Sequence, residues 1–312
     1  MRAGDWALAW QLSAEALAAR NPATRDDPRL PYHLRWVWDG TAPDGRHVLV
    51  RCYNGLGDTL QFARYLPELA RRAASVTVEA PPRLCCLFSD LPCKVVPFDV
   101  ARPLPPSECD IEIMELAFAL RLPPDAACAA WLSTERFGFP AGTVGLCLTA
   151  GDWDSARCVP PEVFAATPLQ RHCIALDLGR STLAVLNPGG CPADLVATAA
   201  FVAGCEAVVT VDTMIAHLAG AMGKPTWLML RHEPDWRWTP GQRHTPWYPT
   251  LHCIHQREPG EWAPVVTQVG LGALGSPEGQ NEANSWRRSA SLRAASTAIS
   301  ESLAAPVRRP FL

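Results

Sequence analysis

The sequence predicts an α/β protein built from two successive parallel-sheet halves. Three observations predict it. Apolar, β-branched runs alternate with helical stretches, the order expected of parallel strands buried on both faces. A proline- and alanine-rich bridge, Pro123 to Pro140, splits that alternation in two. Each half also carries a polar turn between a strand and a helix, at Asn54 to Thr59 and at Asp212 to Thr213.

Trp6 to Arg20 reads as an amphipathic helix, and Asn21 to Pro31 as a polar linker. Leu34 to Trp38 reads as a short aromatic strand. His47 to Tyr53 is the first core strand, and its helix starts near Asp58 or Thr59 with Leu60, Ala63, Leu66 and Leu69 on one face. Strands follow at Ser75 to Ala80, Lys94 to Phe98 and Asp110 to Met114, with helices at Pro82 to Ser89 and Glu115 to Leu122. The second half has strands at Thr143 to Thr149, His172 to Leu178, Leu183 to Leu186, Glu206 to Val211, Pro225 to Leu230 and Leu251 to His255. Its helices are expected at Pro160 to Thr167, Pro192 to Gly204, after Asp212, and at Trp262 to Val269. Gly223 ends the third of these and Pro225 prevents its return. The expected organisation is a helical segment and linker over 1–30, halves over 31–140 and 141–270, and a disordered tail over 271–312 with a weak helix over Ser291 to Leu303.

Bulk properties narrow the function. The chain has 312 residues, 48% hydrophobic, with a net charge of −3, so no global field favours nucleic acid. No apolar run approaches the roughly 20 residues of a membrane span. Asp5 and Glu15 interrupt the first twenty residues, which argues against a signal peptide and leads to a cytoplasmic expectation. The 12 cysteines are scattered without a C-x-x-C pair, so they read as buried reduced thiols, and no metal site is expected.

The polar turns carry the chemistry. In open α/β sheets, ligands bind at carboxyl ends of strands, near helix N-termini. Asp212 ends a buried strand there, Thr213 can cap the next helix, and His217 lies one turn on. From spacing alone, a helix cap and a packed histidine are the readings these residues favour, because such caps are common. Gly55 and Gly57 permit a tight turn with exposed amides before Asp58 and Thr59, although the pattern is neither G-x-G-x-x-G nor a P-loop. A third constellation, Asp235-Trp236-Arg237-Trp238, follows a core strand, with Trp247 and Tyr248 nearby. Its rings can stack on a base or sugar and its arginine can fork onto phosphate, or the loop is a packing corner between the halves. Lys224 reads as a solvated loop lysine.

Together, the Gly-x-Gly-Asp turn entering a helix with Leu-Pro and the later Val-Asp-Thr-x-x-x-His-Leu-Ala-Gly-Ala-x-Gly-x-Pro resemble glycosyltransferase family 9, the ADP-heptose:lipopolysaccharide heptosyltransferase family. The branch with N-terminal tetratricopeptide repeats is the nearer match, the Trp6 helix standing as a repeat remnant. The resemblance implies a GT-B fold, two Rossmann-like domains facing a central cleft, and a role in lipopolysaccharide biosynthesis. It implies an acceptor-handling first half, a nucleotide-sugar-binding second half and no metal or other cofactor. It makes Asp58 the general base and places Asp212, Thr213 and His217 in the donor site, with Arg157 as a candidate cation. Asp235, Trp236 and Arg237 join the donor site on their own chemistry. The expected activity is inverting transfer from an ADP-, UDP- or GDP-linked sugar to a glycan or protein acceptor. The competing expectations are a non-catalytic domain that binds protein or glycan, and a nucleotide-sugar epimerase.

Overall fold

The computed structural model of the chain describes residues 4–127, 129–151, 154–167 and 172–274. Two parallel sheets organise it. The first contains β1 (His47–Arg51), β2 (Ser75–Ala80), β3 (Lys94–Pro97) and β4 (Cys109–Glu112), in the order β3-β2-β1-β4. The second contains β5 (Val144–Cys147), β6 (Cys173–Ala175), β7 (Ala207–Val211), β8 (Thr226–Leu230) and β9 (Leu251–His255), in the order β6-β5-β7-β8-β9. Every strand pair is parallel, with Val48 beside Val76 and Cys109 in one sheet, and Val208 beside Thr226 in the other. The inner strands β5 and β7 of the second sheet are buried at every position, as apolar strands covered on both faces must be.

The helices are α1 (Trp6–Ala18), α2 (Leu56–Phe62), α3 (Leu66–Arg72), α4 (Leu116–Ala119), α5 (Pro161–Ala165), α6 (Leu195–Gly204), α7 (Met214–Ala221) and α8 (Trp262–Leu274). A 3-10 turn over Ala63–Tyr65 joins α2 to α3, and Pro67 sits in the first turn of α3, where its missing N–H costs nothing. One apolar cluster runs from Val50 and Leu60 in the first half to Ile215, Leu218 and Val208 in the second, so the halves share a core. A second cluster fills the opposite face of the second sheet beneath α5 and α8.

The first helix docks on the first half. Asp5 caps it by accepting from the Leu8 amide at 2.9 Å. Trp10 meets Phe118 at 6.1 Å between ring centroids, and Arg20 pairs with Glu115 at 2.7 Å while donating to the Trp38 carbonyl. Among the described residues, no helix is long and apolar enough to cross a membrane.

Several elements differ from expectation. Leu34 to Trp38 is not a strand: a 3-10 turn occupies Tyr32–Leu34. Its carbonyls are taken by other donors, Trp36 by the Asp26 amide, Val37 by Arg25 and Trp38 by Arg20, leaving no ladder to form. Leu183 to Leu186 is not a strand either: Val185 bonds back to Leu183, while the Leu186 amide reaches the sheet at Cys173. Pro82–Phe88 is a 3-10 helix. The second helix begins at Leu56, earlier than expected, and the last runs to Leu274 instead of ending at Val269. Lys224 is not a solvated lysine: its ammonium donates to the Ala203 and Cys205 carbonyls, both at 2.7 Å, and burial lowers its pKa. The remainder of the expected tail, with the weak helix over 291–303, lies outside the described residues.

Candidate functional site

Both polar turns lie at carboxyl ends of strands, and the helices they open pack against each other. The contact is tight at Gly57. A Cβ there would lie 2.8 Å from Cδ2 of His217 and 3.6 Å from the Met214 Cα, so only glycine lets α2 approach α7 this closely. Gly220 plays the same part on the far side of α7, where a Cβ would lie 2.3 Å from Tyr248.

Asp58 stands in the first turn of α2. Its Oδ2 accepts from the Gly55 amide at 3.0 Å, which fixes the turn. Its Oδ1 accepts from Nη2 of Arg237, which belongs to the second half. Thr59 is buried, and its hydroxyl donates to the Gly55 carbonyl at 3.1 Å, so it serves the turn itself. Arg237 is held on three sides. Besides Asp58, it donates through Nε to Oε1 of Gln61 at 2.5 Å and through Nη1 to Oδ1 of Asp235 at 2.8 Å. Its guanidinium lies over the Trp236 ring, 4.5 Å from the centroid. One residue therefore joins the Asp58 turn to the aromatic loop across the two halves.

Asp212 immediately follows β7 and is buried. Burial raises its pKa, and the neighbouring Asp235 raises it further, against the pull of the Trp238 indole, Arg157 and Arg237. The Trp238 N–H makes no full hydrogen bond, so its pull is that of a nearby dipole. Arg157 donates from Nη1 to the Asp212 carbonyl at 2.7 Å, which puts a second cation beside the strand end. Its neighbour Asp154 bridges to Arg231 at 3.0 Å. Thr213 does not cap α7 through its side chain, contrary to expectation. Its backbone is fully extended, and its carbonyl accepts from Ala216. The hydroxyl is thus available at the helix start instead of being spent on the cap.

His217 is buried on α7, stacked on Trp238 at 5.8 Å, with Nδ1 3.0 Å from the Tyr248 hydroxyl. Burial, then Arg237 and Arg64, hold its pKa well below the ordinary histidine value, so the ring is neutral near pH 7. Burial pushes the Tyr248 phenol up to about 12, which keeps its proton in place. Trp238, Trp247 and Tyr248 are all buried, and for them the packing-corner reading holds. Trp236 remains half-buried.

Three polar residues of this region escaped the sequence reading. Gln61 and Arg64 follow Asp58 at steps of three, so the helix presents all three toward the second half. Arg64 is buried, donates to the Trp247 carbonyl and lies 4.3 Å above the Tyr248 ring. Glu112 ends β4 beside the glycine turn. It accepts from Asn54 Nδ2 at 3.0 Å and the Met114 amide at 2.7 Å, yet burial pushes its pKa up to about 7. An acidic residue closing a buried strand was the available signal, the same one that drew attention to Asp212. Among the described residues, no group of three His, Cys, Asp or Glu side chains is placed to hold a metal ion.

The arrangement can do two things chemically. A carboxylate at the mouth of the first sheet can accept a proton from a hydroxyl. Arginines, a free hydroxyl and helix amides at the second sheet can stabilise an anion.

Comparison with known proteins bears on the fold. No family model matches the sequence. Protein FlbA of Caulobacter vibrioides is 26% identical over 82% of this chain, which spans about half, 51%, of FlbA. Among solved structures, a family 9 glycosyl transferase from Veillonella parvula superposes with a TM-score of 0.51 at 11% identity, covering 69% of this chain and 87% of that one. The E. coli ADP-heptose lps heptosyltransferase II covers 73% of this chain and 98% of its own, at 15% identity and a TM-score of 0.47. Two parallel sheets with their strand ends turned toward one seam give this chain the GT-B architecture of glycosyltransferases.

Proposed function

We propose that this chain is a glycosyltransferase that moves a sugar from a nucleoside-diphosphate donor to a hydroxyl acceptor without a metal ion. The observation that carries the reading is the convergence of Asp58 and the Asp212 turn on one seam, joined by Arg237. The donor's diphosphate, ADP-, UDP- or GDP-linked, lies at the start of α7 against Thr213, with Arg157 and Arg237 as counter-charges. Arg237 passes from Asp58 to the incoming diphosphate, and Asp58 Oδ1 is released to the acceptor. The acceptor oxygen then attacks the anomeric carbon and its proton goes to Asp58. The bond from that carbon to the phosphate oxygen breaks, and the nucleoside diphosphate leaves with the electron pair. A single displacement of this kind inverts the anomeric centre. His217, neutral and stacked, positions the turn. Heptose is the sugar that the sequence resemblance favours.

The competing reading is a non-catalytic domain in which the Asp58–Arg237 contact is only a tie between the halves. A melting-temperature screen with ADP, UDP and GDP, followed by donor turnover in Asp58→Ala, separates the two. The proposal expects stabilisation by one nucleotide, retained in Asp58→Ala, together with a loss of turnover of about a hundredfold or more. Silence across all three nucleotides, or unchanged turnover, removes it.

A further inference from the structure

We infer that Glu112 and Asn54 are positioning residues for Asp58: the Glu112 carboxyl grips the Asn54 side chain, and through the Asn54–Gly55 peptide this grip sets where the Asp58 carboxylate stands. The task given to Asp58 rests on the transferase reading above, whereas the grip itself rests on separate contacts.

Asp58 is held from two sides. Its Oδ1 accepts from Arg237 across the seam, and its Oδ2 accepts from the Gly55 amide at 3.0 Å. A Cβ on Gly55 would lie 3.2 Å from Oδ2, so the carboxylate sits directly on that backbone. In the proposed reaction Arg237 passes to the diphosphate. Among the described hydrogen bonds of Asp58, the one from the Gly55 amide then remains. The base stands where that peptide points it.

The other end of the peptide is tied to the first sheet. Asn54 donates from Nδ2 to Oε1 of Glu112 at 3.0 Å. Glu112 is the last residue of β4, lies beside Arg51 of β1 and is 5% exposed. Its Oε2 accepts from the Met114 amide at 2.7 Å, which fixes the carboxyl to the 3-10 turn over Ile113–Glu115. Glu115 anchors that turn in its place by pairing with Arg20 at 2.7 Å. Each step from β4 to Asp58 Oδ2 is therefore a hydrogen bond or a covalent bond. Both Glu112 oxygens act as acceptors, and a carboxyl supplies two where an amide supplies one. Capping the 3-10 turn uses only Oε2 and leaves the bond to Asn54 as a second task.

The groups that face Glu112 are Asp58 from α2, Glu115 from its own turn and Cys52 from the end of β1, with Arg20 beyond Glu115. Burial keeps the Cys52 thiol protonated. Burial also pushes the Glu112 pKa up to about 7 against its two hydrogen bonds, and the acidic neighbours add to the rise. Hydrogen bonds to an ionised carboxylate are roughly twice as strong as neutral ones. The grip on Asn54 thus tightens as pH rises through about 7.

Turnover of the full chain is compared with Asn54→Ala, Glu112→Gln, the double variant and Asn54→Asp. It is read as nucleoside diphosphate released from ADP-heptose, UDP-glucose or GDP-mannose between about pH 6 and about pH 8.5, with melting temperatures taken alongside. Exchange of the Gly55 amide is followed by NMR after labelling with nitrogen-15 glycine. Asn54→Ala and Glu112→Gln are each expected to lower kcat about tenfold at high pH, to leave the donor KM and the nucleotide-induced melting shift in place, and to speed Gly55 exchange at least about twofold. The double variant loses about the same tenfold, not a hundredfold, because both changes cut one tether. The parent kcat rises through pH 7, and Glu112→Gln flattens that rise. Asn54→Asp reverses it, since two facing carboxyls stay together only while they share a proton. Additive losses, a pH profile unmoved by Glu112→Gln and Asn54→Asp, Gly55 exchange indifferent to both single substitutions, or a loss confined to melting temperature overturns the inference. If Gly55 exchange responds as expected while the parent releases nucleotide from none of the donors, the tether stands and the transferase reading fails.

Discussion

Replacing Arg237 by methionine removes the guanidinium while keeping much of its apolar stem. The side chain is 9% exposed and has acceptors on Asp58, Gln61 and Asp235. Its loss leaves two carboxylates without their shared counter-charge and the Gln61 carbonyl without a donor. Removing one partner of a fully buried pair costs about 3–5 kcal/mol. The Asp58 and Asp235 side chains retain 27% and 31% exposure, so water offsets part of this. The expected loss is about 2–3 kcal/mol. Asp58→Asn keeps an acceptor for the Gly55 amide and loses only the charge, at about 1 kcal/mol. If Arg237 is a true tie between the halves, the double variant is more stable than the sum of the singles predicts, by about 1–2 kcal/mol. Urea unfolding of the four proteins at one pH and salt concentration measures this coupling. A coupling below about 0.5 kcal/mol would mean that the contact contributes nothing to the seam.

Three further outcomes follow from the same geometry. The Glu112 carboxyl holds its proton up to about 7 against an ordinary 4.5, so between these values the unfolded chain ionises first and stability falls as pH rises, by about 3 kcal/mol in all. Glu112→Gln should flatten that slope in melting curves taken from pH 4.5 to 7.5, and an unchanged slope would contradict the burial argument. Gly57→Ala drives a methyl into His217 and should cost about 1–3 kcal/mol in urea unfolding, whereas an unchanged midpoint would place the two helices farther apart than described. Thr213→Ala removes no cap, so stability should stay within about 0.5 kcal/mol while the nucleotide-induced melting shift shrinks; a large destabilisation would return Thr213 to the capping role.

The parallel sheets were legible because their strands are uninterrupted apolar runs, and nothing but a sheet covered on both faces suits Ala207–Val211. Asp212 drew attention as a carboxylate directly after such a run, and Asp58 as the acidic residue that follows two glycines at a strand-to-helix turn. The Leu34 to Trp38 segment misled because its aromatic composition matches a strand, while the arginines that take its carbonyls are distant in sequence. Thr213 misled because a threonine before a helix is a common cap; it holds the N-cap position, but its side chain makes no capping hydrogen bond. Arg237 stood out as a phosphate ligand, but its contact with Asp58 depends on how two domains meet, which local patterning does not encode.

The spacing of Asp58, Gln61 and Arg64 along one helical stretch gives opening of the molecule a threshold. Hinge motion between the lobes must first detach Arg237 from two of these residues and Arg64 from the Trp247 carbonyl. Small thermal displacements leave those bonds intact, so the lobes move as one body until all of them yield. An anion that competes for Arg237 lowers that threshold from inside the seam, coupling ligand entry to the release of the lobes.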